Sequence, residues 1–203
     1  MEILMIDYGM GNLRSVSKAF EKVGFSVRIT SSPDDVKKAH AVLLPGVGAF
    51  RDAVHNLKNL GLFKEIVRHV ESGKPYIGIC LGLQLLFERS YEFGITEGFG
   101  LLRGEVVLLP QEVKVPHIGW NQIWKRKNSD LLDGIRDGEY FYFVHSYHVL
   151  PESQEVVLTT TDYQTEFVSS VEYQNIFAVQ FHPEKSQKVG LKLIENIKRR
   201  LYG

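Results

Sequence analysis

The sequence predicts an α/β fold, with an open, mostly parallel sheet flanked by helices and an antiparallel extension in the C-terminal half. In the first half, short apolar runs alternate with segments of helical periodicity, which is typical of β–α–β units. In the second half, strand-like runs follow one another largely without helices between them. The length of 203 residues suits one well-buried core, so we expect residues 1–203 to form a single domain.

The first half contains the predicted β–α–β units. Residues 12–23 carry apolar side chains at helical spacing, with Asn12 as a plausible N-cap and Gly24 as a plausible stop. Residues 50–72 predict one helix or two, with Gly61 as the point of interruption. Further helices are predicted at residues 31–39 and from residue 81 to residue 89. Strands are predicted at residues 2–7, 25–30, 41–46 and 76–80.

The second half is dominated by strand-like segments, which we expect to extend the same sheet. A closing helix is predicted over residues 187–201, with apolar side chains on one face and cations in its last turns, where they suit the helix dipole. The predicted strands are residues 104–110, 117–124, 139–150, 155–161, 166–173 and 176–181.

Composition excludes several classes of protein. The formal net charge is zero, from 24 basic and 24 acidic side chains, so nothing indicates nucleic-acid binding. The chain has 1 cysteine and therefore no internal disulfide, and no apolar run is long enough to span a bilayer. The N-terminal residues lack the basic region and cleavage pattern of a signal peptide. We expect a cytoplasmic protein.

That cysteine, Cys80, lies where an apolar strand gives way to a helical pattern, in the segment GICLG. The arrangement resembles the G-x-S-x-G nucleophile turn, with sulfur in place of oxygen. A helix N-terminus favours the reactive thiolate, and amides at the helix start can bind an oxyanion. The alternative is that Cys80 is a small buried hydrophobic residue, as free cysteines commonly are.

A candidate base and its orienting carboxylate occur together in the segment QFHPE. Residues two apart in an extended chain point the same way, and Pro183 favours an extended His182. His182 could therefore take the thiol proton while Glu184 fixes the imidazole tautomer. The alternative is a surface turn.

His145 and His148 are expected on opposite strand faces, and neither a metal site nor an organic cofactor is indicated.

A third candidate element is the glycine-bearing loop in residues 43–50, LLPGVGAF, after a predicted strand. Ligands bind at the carboxyl ends of strands in open α/β sheets, and such a loop can point backbone N–H groups at an oxyanion. The alternative is an ordinary turn between a strand and a helix.

Together these segments resemble the class I (triad) glutamine amidotransferases. Within that family the chain is similar to the glutaminase subunits of imidazole glycerol phosphate synthase, and the similarity spreads over nearly its whole length. The loop PGVG and the segment PHIGWN are the discriminating features. The similar segments are DYGMGNLRS, LLPGVGAF, GICLGLQLLFERS, PHIGWN, YFVHSYH and QFHPEKS.

The resemblance implies a flavodoxin-like fold and a glutaminase reaction through a thioester on Cys80, with His182 and Glu184 as its partners. Ammonia is released and glutamate follows when water hydrolyses the thioester. The resemblance also implies an oxyanion hole formed by the backbone N–H groups of Val47 and Leu81. The residues implied in the glutamine pocket are Gly48, Gln84, Glu92, Ser146 and Tyr147.

By the same resemblance, the partner is a (β/α)₈-barrel cyclase subunit that forms a heterodimer with this chain and receives the ammonia. That pair makes imidazole glycerol phosphate and AICAR in histidine biosynthesis. Asn12 and Trp120 are implied at the interface, although Trp120 could instead belong to the core. Three other functions stay open: a subunit serving another synthase, a cysteine hydrolase of a different amide, and a catalytically silent homologue.

Overall fold

The computed structural model describes residues 2–203, and its first half alternates strands and helices as expected. The strands of this half are β1 (Glu2–Ile6), β2 (Ser26–Thr30), β3 (Val42–Gly46) and β4 (Tyr76–Cys80). The helices are α1 (Leu13–Lys22), α2 (Pro33–Lys38), α3 (Phe50–Asn59), α4 (Leu62–Glu71) and α5 (Leu81–Gln84).

The remainder of the chain is rich in strands and ends in α6 (Gln187–Tyr202). These strands are β5 (Phe87–Ser90), β6 (Thr96–Glu97), β7 (Leu102–Leu108), β8 (His117–Gln122), β9 (Trp124–Lys125), β10 (Tyr140–His145), β11 (Tyr147–Pro151), β12 (Val157–Asp162), β13 (Glu166–Tyr173) and β14 (Ile176–Val179).

The main sheet joins a parallel half to a largely antiparallel half. Its strands lie in the order β2-β1-β3-β4-β14-β13-β11-β7-β5-β6, and β12 and β9 attach beside β13. Pairing is parallel from β2 to β14 and antiparallel from β14 to β7. The predicted fold class, with its antiparallel extension, is thus confirmed. None of the helices within residues 2–203 is long and apolar enough to cross a membrane.

Two predictions about the second half of the sheet were wrong. Strands β8 and β10 pair with each other in a separate two-stranded antiparallel sheet, rather than extending the main one. The predicted strand over residues 139–150 breaks at Ser146, whose carbonyl accepts a hydrogen bond from the Leu109 N–H at 2.9 Å. The break allows β10 and β11 to belong to different sheets.

The helix predicted from residue 81 to residue 89 was also wrong in its extent, because α5 ends after one turn. The carbonyls of Leu85 and Leu86 accept hydrogen bonds from the N–H groups of Phe99 and Leu101, at 2.7 and 2.9 Å. These contacts between distant segments replace the helical hydrogen bonds, and the chain continues as β5 beside β7. Tertiary pairing therefore overrides the local helical pattern.

Helices cover both faces of the parallel half, so its inner strands β1, β3 and β4 are apolar on both sides, whereas the edge strand β2 has no buried residue. Leu4 and Ile6 of β1 pack into one core cluster, whereas Ile3 and Met5 pack into the other. This alternation is what strand geometry requires of a sheet buried on both faces. The prediction for residues 50–72 resolves into two helices, and Gly61 lies between them with a left-handed φ of 71°.

The strand register brings the candidate segments to one edge of the sheet. Cys80, at the end of β4, lies opposite Gly46 of β3, while Ile79 lies opposite Val179 of β14. The loop after β3, the turn after β4 and the chain after β14 therefore meet at the carboxyl ends of three adjacent parallel strands. Such an edge is the usual ligand-binding position in α/β sheets.

Candidate active site

Cys80 occupies a tight turn between β4 and α5, as the sequence predicted. Its backbone has φ 55° and ψ −105°, a conformation that residues with a side chain rarely adopt. Such a conformation costs on the order of 1–3 kcal/mol and persists only where the surroundings enforce it. Strain of this kind clusters at functional sites, which favours the nucleophile interpretation over that of a passive core residue.

The two glycines that flank Cys80 are required by close packing. A Cβ atom at Gly82 would lie 2.0 Å from the carbonyl oxygen of Leu44 in β3. A Cβ atom at Gly78 would lie 2.6 Å from the carbonyl oxygen of Gly82. The contact at Gly82 packs the turn against β3, and the contact at Gly78 packs the start of α5 against β4. Together they hold Cys80 in its strained conformation.

The expectation that a helix N-terminus stabilises the thiolate has to be corrected. Helix α5 spans 4 residues, from Leu81 to Gln84, and a single turn has too few aligned peptides to sum to a substantial dipole. Electrostatic support for a thiolate must therefore come from neighbouring side chains.

His182 and Glu184 form a buried pair beside this turn. Nδ1 of His182 donates to Oε1 of Glu184 at 2.8 Å, and the two side chains are 4% and 1% exposed. His182 is extended, as predicted, with φ −105° and ψ 95°. Pro183–Lys185 instead forms a 3₁₀ turn, so the turn rather than strand alternation brings Glu184 back to the imidazole. The surface-turn alternative is excluded by the burial.

The imidazole is poised to hold a proton. Burial acts to lower the pKa of His182, but the neighbouring Cys80 and Glu184 raise it more strongly, and the net shift is upward. Nε2 of His182 is buried and has no hydrogen-bond partner among residues 2–203. The geometry therefore leaves Nε2 free to exchange a proton near the thiol, while Nδ1 is fixed by the carboxylate.

Cys80 as a residue is 6% exposed, and it lines a cavity of about 390 Å³. Every residue that the resemblance implied in the oxyanion hole or the glutamine pocket lines this cavity: Val47, Gly48, Leu81, Gln84, Glu92, Ser146 and Tyr147. The loop of residues 43–50 is thus part of the cavity wall rather than a remote turn. His182 and Glu184 are not among the lining residues and lie beside the Cys80 turn.

Glu92 supplies a carboxylate to the cavity wall. Its Oε2 accepts a hydrogen bond from the backbone N–H of Phe50 at 2.6 Å, which ties it to the start of α3. Burial raises the pKa of Glu92, and the Phe50 hydrogen bond opposes that rise. A cation that approached this carboxylate would compensate for its burial.

The two residues implied at an interface lie outside the cavity. Asn12 is exposed, and its Oδ1 accepts the backbone N–H of Ser15 at 3.2 Å, which confirms the predicted N-cap of α1. Trp120 is 45% exposed on β8 and meets the ring of Tyr142 edge-on at 6.0 Å. The alternative that Trp120 belongs to the core is therefore excluded.

Comparison with known sequences places the chain in a family. The sequence model described as glutamine amidotransferase class-I matches residues 4–199. The chain belongs to the class-I glutamine amidotransferase family. The match covers β1 to α6, so the cavity, the Cys80 turn and the His182–Glu184 pair all lie within the family domain.

Several individual proteins have sequences closely similar to that of this chain. The imidazole glycerol phosphate synthase subunit HisH of Aquifex aeolicus (strain VF5) is 60% identical over 201 residues, which cover 98% of this chain and 97% of that protein. The protein of the same name from Pyrococcus furiosus is 50% identical over 199 residues, covering 97% and 98%. PurLQS from Thermotoga maritima has TM-score 0.77 at 21% identity, covering 98% of each chain, which shows the shared fold alone.

Sequence reasoning missed some residues of this amidotransferase site. Pro116 and His145 line the cavity, although Pro116 had been noted only within its motif and His145 individually only in weighing a metal site. Gln180 is fully buried and directs Nε2 toward Sγ of Cys80 at 3.6 Å. One signal could have found Gln180: it lies two residues before His182 in an extended segment, and residues at that spacing share a face.

The close packing at Gly82 generates a first prediction. Gly82→Ala places a methyl group against the Leu44 carbonyl, so we expect a loss of about 1–3 kcal/mol in the free energy of unfolding and slower alkylation of Cys80. Urea denaturation and iodoacetamide kinetics measure the two effects. Gly94→Ala is the control, since no atom lies within 4 Å of the added Cβ and its φ of 101° costs stability without a clash. Slow alkylation in both variants would contradict the packing argument.

The raised pKa of His182 generates a second prediction. His182→Ala removes the cation beside the sulfur, so we expect alkylation of Cys80 near neutral pH to slow by about tenfold or more. The measurement is the iodoacetamide rate across pH, compared with His55→Ala on the exposed part of α3. An unchanged pH profile in the His182 variant would show that the two groups are not coupled.

Proposed function

We propose that this chain hydrolyses the side-chain amide of glutamine and delivers the ammonia to a cyclase subunit that makes imidazole glycerol phosphate and AICAR. The observation that carries the proposal is the position of Cys80. Its backbone is strained, it lines the cavity, and the buried His182–Glu184 pair lies beside its turn. Membership of the class-I amidotransferase family supports the reaction. The shared name of the similar relatives supports the partner.

The reaction follows from the positions of the catalytic groups. Cys80 gives its proton to Nε2 of His182, and Sγ attacks the amide carbon of glutamine to form a tetrahedral intermediate. His182 returns the proton to the departing nitrogen, the carbon–nitrogen bond breaks, and ammonia leaves a glutamyl thioester. Water, deprotonated by the same imidazole, then hydrolyses the thioester to glutamate. Glu184 keeps Nδ1 protonated and stabilises the imidazolium.

The oxyanion of both intermediates is stabilised by backbone N–H groups at the sheet edge. Leu81 directly follows the nucleophile, and Val47 follows Gly46, which lies opposite Cys80 in the register. Both residues line the same cavity as Cys80. Removing one such donor in comparable sites costs about 100–1,000-fold in rate, so the placement of residues 46–48 controls the activity.

The polar wall of the cavity matches the charged end of glutamine. Glu92 provides an anion for the α-ammonium group. Ser146, Tyr147 and Gly48 offer hydrogen bonds along the same wall. Gln84 has both hydrogens of Nε2 committed, to the Tyr147 carbonyl and to Oε1 of Gln180, so its Oε1 is the atom left to accept from the substrate.

The cyclase docks on the small sheet beside the cavity. Strands β8 and β10 expose Ile118, Trp120 and Tyr140, which are 59%, 45% and 51% exposed. Aromatic anchors of this kind are typical of the centre of an interface. Asn12, exposed at the start of α1, is a further candidate contact. A barrel subunit on this face completes the heterodimer and receives ammonia from the neighbouring cavity.

The direct test is glutamate release by the purified chain, alone and with the cyclase and its nucleotide substrate. Low activity alone and a large rise in the full mixture support the coupled glutaminase. High activity that is indifferent to the partner would retain the thiol chemistry but contradict the coupling. No glutamate from folded protein in either condition would overturn the proposal.

Substitution of the nucleophile separates chemistry from assembly. Cys80→Ala removes the thiol, so we expect glutamine-dependent synthesis by the heterodimer to fall to background while ammonia-dependent synthesis by the cyclase persists. The measurement is product formation with each nitrogen source. Equal loss with both sources would mean that the chain serves the cyclase structurally.

The docking surface makes a further prediction. Trp120→Ala removes an exposed aromatic anchor, and we expect affinity for the cyclase to fall by about fivefold or more. Titration calorimetry with the purified cyclase measures the change. Trp124→Ala is the matched control, because Trp124 is 41% exposed on β9, outside the small sheet. Equal losses in both variants would place the interface elsewhere.

A further inference from the structure

Gln180 is a buried amide for which the proposed reaction has no role. It is 0% exposed and lies between β14 and His182, where its backbone N–H donates to the Ser169 carbonyl at 2.8 Å. Its side chain lies between two other functional groups, Sγ of Cys80 at 3.6 Å and the amide of Gln84 at 3.1 Å. A buried amide must satisfy its polar atoms within the protein, so its orientation is set by these neighbours.

The orientation of the Gln180 amide follows from that of Gln84. Only the NH₂ group of Gln84 can face the Tyr147 carbonyl, which is 3.1 Å away, because a carbonyl oxygen cannot donate. The same NH₂ group then donates to Gln180 at 3.1 Å, which makes the contacting atom of Gln180 its Oε1. Nε2 of Gln180 must consequently point at Sγ of Cys80 as a hydrogen-bond donor.

Two buried histidines continue this hydrogen-bond chain away from the thiol. The Tyr147 carbonyl also faces Nδ1 of His145 at 2.9 Å, so Nδ1 carries the proton and Nε2 is left as an acceptor. Nδ1 of His117 donates to that Nε2 at 3.0 Å. Nε2 of His117 then accepts from Nδ2 of Asn121 at 3.3 Å. Every donor and acceptor in the chain therefore has a single possible direction.

The histidines keep this direction because they stay neutral. Burial lowers the pKa of His117 to about 4. Burial lowers the pKa of His145 to about 3, against the Tyr147 hydrogen bond, and His117, His148 and His182 lower it further. A protonated His145 would turn its acceptor Nε2 into a donor that faces another donor. Neutral rings avoid this conflict throughout the ordinary working range of pH.

We propose that Gln180 is a further catalytic residue, which donates Nε2–H to the sulfur of Cys80 while Gln84, itself oriented by the Tyr147 carbonyl, holds its amide in that orientation. A thiolate is a much better acceptor than a thiol, so the hydrogen bond strengthens as the proton moves from Sγ to His182. It weakens when the sulfur–carbon bond forms and strengthens again when the thioester breaks. The proposal rests on the thioester chemistry proposed above.

The chain also connects the thiol to the docking surface. Asn121 follows Trp120 on β8, and its Nδ2 also donates to the Asp162 carbonyl at 2.9 Å. Its Oδ1 accepts the backbone N–H of Gln122 at 2.7 Å, which fixes the amide. His117 and His145 thus link the small sheet, where the cyclase is proposed to bind, to the Tyr147 carbonyl that orients Gln84. Toward the sulfur, Gln84 is a positioning residue, since it reaches Sγ only through Gln180.

Alkylation of Cys80 tests the proposal without glutamine or a partner. Gln180→Met keeps the length of the side chain but removes the donor, and we expect iodoacetamide to react about tenfold more slowly near neutral pH, with the pH profile displaced upward. Gln180→Glu replaces the donor by an anion and should react more slowly still. Gln154→Met, an exposed substitution in the segment before β12, should match the wild type.

The outcomes separate this proposal from the proposed function. Wild-type alkylation in Gln180→Met would overturn the role of Gln180 and leave glutamine hydrolysis untouched. Slow alkylation in a protein that shows no glutaminase activity would support the contact with sulfur while contradicting the reaction. Circular dichroism and thermal unfolding establish that each variant is folded.

A measurement on the unsubstituted chain covers the case in which Gln180→Met does not fold. The side-chain amide resonances of Gln180 in a ¹H–¹⁵N spectrum should shift with pH as the sulfur changes its protonation state. The same resonances should lose that dependence in Cys80→Ala. Amide resonances that are indifferent to pH in the wild type would overturn the proposal.

Discussion

The contact between Gly82 and the carbonyl oxygen of Leu44 is the constraint on which the site depends. It brings the turn after β4 against β3 and forces Cys80 into a positive φ of 55°. Cys80 lines the cavity together with Leu81 and Val47. Because α5 is too short to stabilise an anion by its dipole, the turn supplies position and the surrounding side chains supply the electrostatics.

The shifted pKa values of the buried histidines make the stability of the fold depend on pH in two opposite directions. The raised pKa of His182 means that its pairing stabilises the fold fully below the unfolded value near 6.5 and loses this contribution as pH rises through the folded value. The lowered pKa values of His117 and His145 act the other way, since the unfolded chain binds those protons more readily as pH falls below about 6.5. The buried imidazoles therefore have opposite pH dependences: its partners raise the pKa of His182, whereas burial lowers the pKa values of His117 and His145.

Sequence predicted the parallel half of the fold well, because its inner strands are apolar runs and its longer helices have their own periodicity, with a side-chain cap at Asn12. It failed where distant segments decide the outcome. Carbonyls of Leu85 and Leu86 are taken by residues 99–102, so the expected helix ends after one turn. The separate sheet of β8 and β10 likewise depends on a break at Ser146 that no local pattern marks. At the site, motifs singled out Cys80, His182 and Glu184, which the structure places side by side, whereas the contacts of Gln180 with Gln84 and Cys80 join residues far apart in sequence.

If Cys80 carries the glutamyl group during turnover, the glutamyl thioester can be trapped on it. The heterodimer would be quenched with acid during turnover of isotopically labelled glutamine, digested, and analysed by mass spectrometry. We expect a labelled glutamyl thioester on the peptide that contains Cys80, and no adduct in Cys80→Ala. Steady release of glutamate with no adduct at Cys80, or an adduct on another residue, would contradict it.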